Sequence, residues 1–187
     1  MRKKAGHPWT TLPDFMFSIG AAGYGGQGTL CGALGVAAAF CNLVAYDKEK
    51  TYVTLTDELF TWYSRTEFPT ERFDSICHFP KQVKCLAKTP LCHVSVSQWS
   101  VAAGTKVTSK EKKDRCAKVT GEVVYQLVTA LNSYAKGTYR PANHPVLEET
   151  AHCLSCHGSD DMWHEKAGMN NQQGKMDCAH CHPHHGR

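Results

Sequence analysis

Two copies of the motif C-x-x-C-H near the C-terminus constrain this chain more than any other feature of its sequence. They are Cys153-Leu-Ser-Cys156-His157 and Cys178-Ala-His-Cys181-His182. This is the pattern of c-type haem attachment, in which two thiols add to the vinyl groups of one haem and the next histidine binds its iron. The pattern therefore predicts two covalent haem c groups per chain, with His157 and His182 as proximal iron ligands.

Zinc is the main alternative for the two cysteine pairs, because the 21 residues between them are close to a zinc-ribbon spacing. Zinc, however, does not require a histidine directly after each pair. With 11 histidines among 187 residues, chance would place one after both pairs only roughly 0.3% of the time. The histidines therefore favour haem over zinc, and disulfides are a weaker alternative.

The tail that carries these motifs is rich in histidine and poor in apolar residues. Eight of the 11 histidines lie at or after His144, and a turn-rich linker with two prolines covers residues 137–145. Because such a tail cannot build a core of its own, we expect the haems to order it. We divide the chain into a helical, cysteine-bearing domain (1–140) and a dihaem tail (141–187) with little regular structure.

Each haem iron has a sixth coordination position, and the many nearby histidines favour His/His ligation over a methionine ligand. The first candidates for the distal ligands are His144 and His164, followed by four others: His152, His180, His184 and His185. A surface role or a contact with a haem propionate is the alternative for each, and a ligand from a partner subunit is another. His/His ligation leaves no open iron position and suits electron transfer.

Hydrophobic periodicity predicts three helices before the tail. The first covers residues 29–46 after a glycine-rich segment, and the second covers residues 51–65. Ser109 is expected to cap a third, which runs to about Lys136. Residues 68–107 contain three prolines and are expected to be irregular.

Six cysteines precede the tail, and five of them are candidates for the four thiolate ligands of an iron–sulfur cluster. The five are Cys31, Cys77, Cys85, Cys92 and Cys116. The sixth, Cys41, lies on an apolar helix and is interpreted as a core residue. The spacing matches no standard ferredoxin run, so disulfides are the main alternative at this point.

The glycine-rich segment also contains a G-x-G-x-x-G match from Gly23 to Gly28, and Asp47 lies 19 residues beyond it. A dinucleotide site would need a buried strand before the glycines and a second strand before Asp47. Neither strand is evident, because one predicted helix fills the interval. We interpret the glycines as a turn that lets this helix start close to packed backbone.

Two sequence blocks, each containing a cysteine, resemble a known family. The block GGQGTLCGAL contains Cys31, the block DRCAKVTGEVV contains Cys116, and both resemble the redox-active family named for its C, GCAxxG, C, C pattern. Cys92 and Cys116 fit that family's last two cysteines. With the two haem motifs appended, roughly residues 14–187 resemble the split-Soret cytochrome c family. The usual first cysteine upstream of the glycine block is missing, so the choice of four among the five candidate cysteines stays open.

This resemblance implies a mainly α-helical homodimer with two haems per chain. It implies that the haems pack close together at the dimer interface with His/His ligation, and that one ligand reaches across subunits. It also implies an iron–sulfur cluster, [2Fe-2S] or [4Fe-4S], in the cysteine-bearing N-terminal part. Two closely stacked haems would couple their strong transitions and split the main absorption band.

These features predict an electron-transfer protein that turns over no substrate of its own. One alternative is a small multihaem reductase, with one open haem iron, that acts on a nitrogen oxide or a sulfur compound. Another is a colourless zinc-binding interaction module. The formal net charge of +4 is too small to indicate nucleic-acid binding, and no apolar run is long enough for a membrane span.

The cofactors also suggest a location. Because c-type haem is attached outside the cytoplasm, we expect a periplasmic protein. No export signal or twin-arginine pair is visible at the start of the chain. A protein that carries both a cluster and haems would be exported folded, by the twin-arginine route.

Overall fold

The structure, a computed structural model, describes residues 6–7, 9–158 and 174–182. Within these residues the protein is mainly helical, as the sequence predicts. Its helices are α1 (Gly32–Ala45), α2 (Thr51–Ser64), α3 (Cys92–Ala102), α4 (Lys110–Ala135) and α5 (Glu148–His157). Two short strands, β1 (Glu67–Phe68) and β2 (Cys85–Leu86), pair antiparallel. Short 3₁₀ helices cover Asp14–Gly20, Asp74–Ile76 and Cys178–His180.

The core lies where α1, α2 and α4 pack together. Each helix buries apolar residues at a spacing of three or four, which places them on one face. These residues are Leu34, Ala37, Cys41 and Ala45 of α1, Leu55, Leu59 and Tyr63 of α2, and Val119, Val123 and Leu127 of α4. Cys41 is 1% exposed within this cluster, which confirms it as a core cysteine.

The three predicted helices are confirmed as α1, α2 and α4. Ser109 caps α4, because its Oγ accepts a hydrogen bond from the backbone N–H of Lys112 at 3.1 Å. The buried face of α4 also carries charged residues: Arg115, Lys118 and Glu122. By contrast, Val124 and Val128 lie on the outer side and are about half exposed.

Residues 68–107 were expected to be irregular, and for residues 92–102 this expectation is wrong because they form α3. The buried residues of α3 are Ser95, Trp99 and Ser100. Two serines on the packed face leave no apolar stripe for periodicity to detect. The indole N–H of Trp99 donates to the backbone oxygen of Val83 at 2.9 Å, which ties α3 to the segment before β2.

The described part of the tail contains α5 and the 3₁₀ helix Cys178–His180. The hydroxyl of Thr150 on α5 donates to the backbone oxygen of Met176 at 2.9 Å, and Thr150 is fully buried. This bond joins the segments that carry the two haem motifs. None of the helices described here combines the length and the hydropathy needed to cross a bilayer. The proposed boundary at residue 140 stays a prediction.

Candidate cofactor sites

The N-termini of α1 and α3 lie side by side. The segments before them pair antiparallel at Leu30 and Leu91, and the backbone N–H of Cys31 donates to Pro90 at 2.9 Å. Cys31 is the N-cap of α1, and Cys92 is the first residue of α3. Both thiols therefore lie at helix N-termini, where the helix dipole stabilises a thiolate.

Glycines allow this close approach. Gly28 has a φ of +69°, and its carbonyl oxygen accepts from the backbone N–H of His93 at 2.8 Å. A Cβ on Gly32 would lie 1.9 Å from the carbonyl oxygen of Gly20. The G-x-G-x-x-G segment follows the 3₁₀ helix Asp14–Gly20 rather than a strand. This agrees with its interpretation as a turn that brings α1 against packed backbone.

Cys116 on α4 and Cys85 in β2 approach the same region. Burial raises the pKa of the Cys92 thiol, the nearby Cys31 and Cys116 thiols raise it further, and Arg115 opposes the rise. Burial also raises the pKa of Cys85, again opposed by Arg115. Cys31, Cys92 and Cys116 are therefore neighbours, and Cys85 has Arg115 as a neighbour in common with Cys92.

Cys77, the fifth candidate, belongs to a different set of contacts. Its thiol donates to the backbone oxygen of Asp74 at 3.4 Å. The ammonium of Lys118 lies 2.7 Å from the Asp74 carboxylate and donates to the Phe79 carbonyl at 2.7 Å. The hydrogen bond from Lys118 is the main cause of the lowered pKa of Asp74. Sequence spacing did not separate Cys77 from the other four, whereas these contacts do.

Arg115 has a position that sequence analysis did not single out. It is 2% exposed, and its Nη2 donates to the hydroxyl of Ser95 at 2.8 Å. The Ser95 hydroxyl lies 3.0 Å from the hydroxyl of Tyr63. Burial is the main cause of the raised pKa of Tyr63; Cys31 adds to the rise, and Arg115 opposes it. Tyr63 therefore connects Cys31 with the buried side chains of Ser95 and Arg115.

The Nε–H of Arg115 is buried without a hydrogen-bond partner. A buried donor without an acceptor is destabilising, so an accepting group fits at this position. Cysteine thiolates and the sulfurs of an iron–sulfur cluster accept hydrogen bonds. The donor set formed by the four cysteines and Arg115 therefore fits a cluster of this kind.

No three of the described His, Cys, Asp and Glu side chains are arranged to hold one metal ion. A structural zinc site needs four ligands around a single ion, and neither the tail pairs nor the N-terminal cysteines have that arrangement. A [4Fe-4S] cluster binds one thiolate per iron, so its four thiolates are farther apart than the ligands of a single zinc ion.

The first haem motif lies on the last turns of α5. Cys153 and Cys156 are one turn apart on one side of the helix, and His157 is its last residue. Cys156 is exposed, whereas Cys153 and His157 are partly buried. The exposed thiol is open to covalent attachment.

The second motif lies on the 3₁₀ helix Cys178–His180 and the turn after it. The carboxylate of Asp177 caps this helix by accepting from the N–H of Ala179 at 3.0 Å. Cys181 and His182 are exposed. Burial raises the pKa of Cys178, and the Cys153 thiol raises it further. The two motifs are therefore close neighbours.

The distal-ligand candidates have different surroundings. His144 is exposed in the coil between α4 and α5, and His164 lies outside the described residues. Only one ring nitrogen of His180 has a hydrogen-bond partner, because Nε2 lies 2.7 Å from the amide nitrogen of Gln98, whereas Nδ1 is 2.8 Å from the Asp177 carboxylate without a hydrogen bond to it. His180 would have to release Gln98 or Asp177 to bind iron. His152 is exposed, and His184 and His185 also lie outside the described residues.

A cavity of about 620 Å³ lies between α2 and the tail. This volume is in the usual range for a cofactor or ligand site. Arg65 and Lys175 contribute positive charge, and Lys175 is paired with Asp57 at 2.7 Å. Its main apolar lining residues are Leu30, Tyr52, Val53, Phe60, Leu91, Val146, Leu147 and Met176. Asp57 also lines the cavity and neutralises Lys175, so an apolar wall with the cation of Arg65, bordered by the segments that precede both motifs, is what this cavity offers to the apolar ring and a carboxylate of a haem.

Comparison with known proteins gives three matches. The sequence model of the family described as "Putative redox-active protein (C_GCAxxG_C_C)" matches residues 1–130. Split-Soret cytochrome c from Desulfovibrio desulfuricans is 29% identical over 188 residues, covering 97% of this chain and 64% of the relative. The chain thus spans less than two thirds of that relative's length. A solved structure of split-Soret cytochrome c from Desulfovibrio desulfuricans, described as having a novel iron centre, matches with a TM-score of 0.80 and 29% identity. This match covers 97% of this chain and 74% of the other, and the predicted resemblance is confirmed.

Proposed function

This chain belongs to the C_GCAxxG_C_C family of redox-active proteins, and from this we propose that it transfers electrons and turns over no substrate of its own. We propose that it carries two covalent haem c groups and an iron–sulfur cluster, which supply one-electron chemistry when bound. The haem attachment residues are Cys153, Cys156, Cys178 and Cys181, with His157 and His182 as proximal ligands. The cluster ligands are Cys31, Cys85, Cys92 and Cys116.

The observation that carries this proposal is the position of α3 between the two sites. Cys92 begins this helix beside the other cysteines, and Gln98 contacts His180 within the second haem motif at 2.7 Å. Because an α-helix rises about 1.5 Å per residue, Cys92 and Gln98 lie about 9 Å apart along its axis. A short, rigid helix between two redox sites supports electron exchange between them.

The remaining parts of the proposal depend on the resemblance to split-Soret cytochrome c. We propose a homodimer, a periplasmic location and His/His ligation of both haem irons, with His144 and His164 as the first distal candidates. Redox partners are separate proteins. An iron with two histidine ligands has no position for a substrate, so its role is to pass electrons.

Absorption spectroscopy of the native protein, with haem counted as the pyridine haemochrome, tests this function. We expect two haems per chain, a low-spin spectrum in both oxidation states and a split main band. Carbon monoxide should leave the spectrum of the reduced protein unchanged. A colourless protein would contradict the haem assignment, and binding of carbon monoxide or nitrite would indicate an open iron and a reductase.

A further inference from the structure

We infer that Arg115 is the positioning residue that balances the negative charge of the cysteine site and keeps the reduction potential of its centre from falling. This inference rests on the proposed cluster at Cys31, Cys85, Cys92 and Cys116. It adds a residue that is not a ligand and that the motif does not contain.

Arg115 is a buried cation without a counter-charge among the described carboxylates. Arg115 is 2% exposed, and among the described residues no carboxylate lies within ion-pair distance of its guanidinium. A guanidinium stays protonated at any pH that a folded protein experiences. Burying such a charge without an anion is strongly unfavourable. The groups around it must therefore supply the negative charge.

Arg115 has proposed cluster cysteines as neighbours. It directly precedes Cys116 in α4, and its guanidinium contacts Ser95, which lies one turn after Cys92 in α3. Its positive charge opposes the rise in the pKa of Cys85 and Cys92. An iron-bound cysteine is a thiolate, so the proposed ligands would supply negative charge beside this cation when the cluster is bound.

The guanidinium of Arg115 is held in place by hydrogen bonding. Ser95 accepts from Nη2 at 2.8 Å and lies 3.0 Å from the hydroxyl of Tyr63, and both residues are 1% exposed. These contacts leave the buried Nε–H free to donate. A fixed cation with a free donor beside the proposed ligands is suited to hydrogen-bond a sulfur of the cluster when the cluster is bound.

Lys118 provides the comparison within the same helix. It lies one turn after Arg115 and is 3% exposed, but the Asp74 carboxylate already neutralises it at 2.7 Å. Of these two buried cations, only Arg115 has a charge left to balance. Lys118 also interacts with the Cys77 thiol, which is outside the proposed ligand set, so removing Lys118 disturbs the same helix without removing a counter-charge of the proposed centre.

The charge of Arg115 affects the reduction potential of the proposed cluster. Net charge and hydrogen bonds to the sulfurs set the reduction potential of a cluster. Reduction adds one negative charge, and a nearby cation favours the reduced form. Loss of the Arg115 charge should therefore lower the potential.

The test compares Arg115→Gln, Arg115→Lys and the control Lys118→Met in the full haem-containing protein. The reduction potential of the centre is followed by paramagnetic resonance during a redox titration, and the haem bands of the same sample serve as the internal reference. For Arg115→Gln we expect the ratio of oxidised to reduced centre at a fixed potential to rise at least ten-fold, which is about 59 mV for a one-electron couple. The haem potentials, Arg115→Lys and Lys118→Met should stay near wild type.

Each result decides the inference. A centre that is lost in Arg115→Gln but retained in Arg115→Lys would also support it, because the charge is then required. Three results would overturn the inference. They are equal potentials in wild type and Arg115→Gln, equal shifts in Arg115→Gln and Arg115→Lys, and loss of the centre in both of these variants. Absence of the paramagnetic signal, of acid-labile sulfide and of non-haem iron from the wild-type protein would instead refute the proposed cluster.

Discussion

At the scale of single residues, the ten cysteines differ in surroundings that their spacing does not reveal. Cys41 is buried among apolar residues, where burial raises its pKa and keeps the thiol neutral. Cys92 is also partly buried, but it has other thiols and a cation as neighbours. The same side chain therefore packs as a small hydrophobe in one place and is suited to bind iron in another.

Serine substitutions at Cys92 and Cys77 should separate a cluster ligand from a loop residue. We expect Cys92→Ser to lose non-haem iron and acid-labile sulfide by about ten-fold or more, because a thiolate ligand is removed. Cys77→Ser, the matched control, should keep the wild-type content. Iron and sulfide analysis after haem correction measures both, and the opposite pattern would move Cys77 into the ligand set.

The ion pair between Asp74 and Lys118 makes stability depend on pH. The lowered pKa of Asp74 means that the pair stabilises the fold above the ordinary value of 3.8, and that this contribution is lost as the pH falls through the lower, folded value. We expect Asp74→Asn to lower the thermal midpoint by several degrees at pH 7, because it leaves buried Lys118 without its anion. The difference from wild type should shrink at pH 3. Thermal melts followed by circular dichroism at both pH values measure this difference in thermal midpoint. The same difference at pH 7 and pH 3 would argue against a stabilising ion pair between Asp74 and Lys118.

At the scale of elements, two helix starts bring the cysteine site together. The backbone of α1 begins against Gly20, and the segment before it pairs with the segment before α3. Neither contact is local in sequence. The glycines permit the approach because a side chain at Gly32 would overlap the backbone.

Gly32→Ala tests this packing. A Cβ there would lie 1.9 Å from the carbonyl oxygen of Gly20, so α1 has to shift away from it. We expect a loss of about 1–3 kcal/mol in the free energy of unfolding. Gly174→Ala is the control, because no atom of the described residues lies within 4 Å of a Cβ there. Denaturant titration measures the free energy of unfolding of both variants. A wild-type value for Gly32→Ala would show that the close approach of α1 to Gly20 is not constrained.

At the scale of the whole molecule, the two haem motifs adjoin each other, and α3 extends from the cysteine site to one of them. Thr150 joins their segments through Met176, and Gln98 contacts His180. This arrangement depends on tertiary contacts and not on the covalent attachment. The optical coupling of the haems should therefore disappear when the fold is lost.

Unfolding in denaturant should convert the split main band into a single band with no loss of haem, because the thioether bonds remain while the haems separate. The change should follow the same transition as the far-ultraviolet circular dichroism. If the haem pair forms across subunits, dilution below the dimer dissociation constant should have the same optical effect, with the oligomeric state followed by analytical ultracentrifugation. A split band that persists in the unfolded chain would contradict this interpretation.

The sequence alone was sufficient for the features that depend on local spacing. The proposed haem attachment depends on two thiols three residues apart and a histidine next to them, which is a local pattern. Helices α1, α2 and α4 follow from apolar periodicity and the Ser109 cap. Tertiary structure was needed for α3, whose buried serines give no apolar stripe, and for the separation of Cys77 from the other cysteines. It was also needed for Arg115, since an arginine beside a cysteine is ordinarily exposed. Its burial results from the packing of α4 against Tyr63 and Ser95, residues 52 and 20 positions away in the chain, and no local pattern encodes contacts at that range.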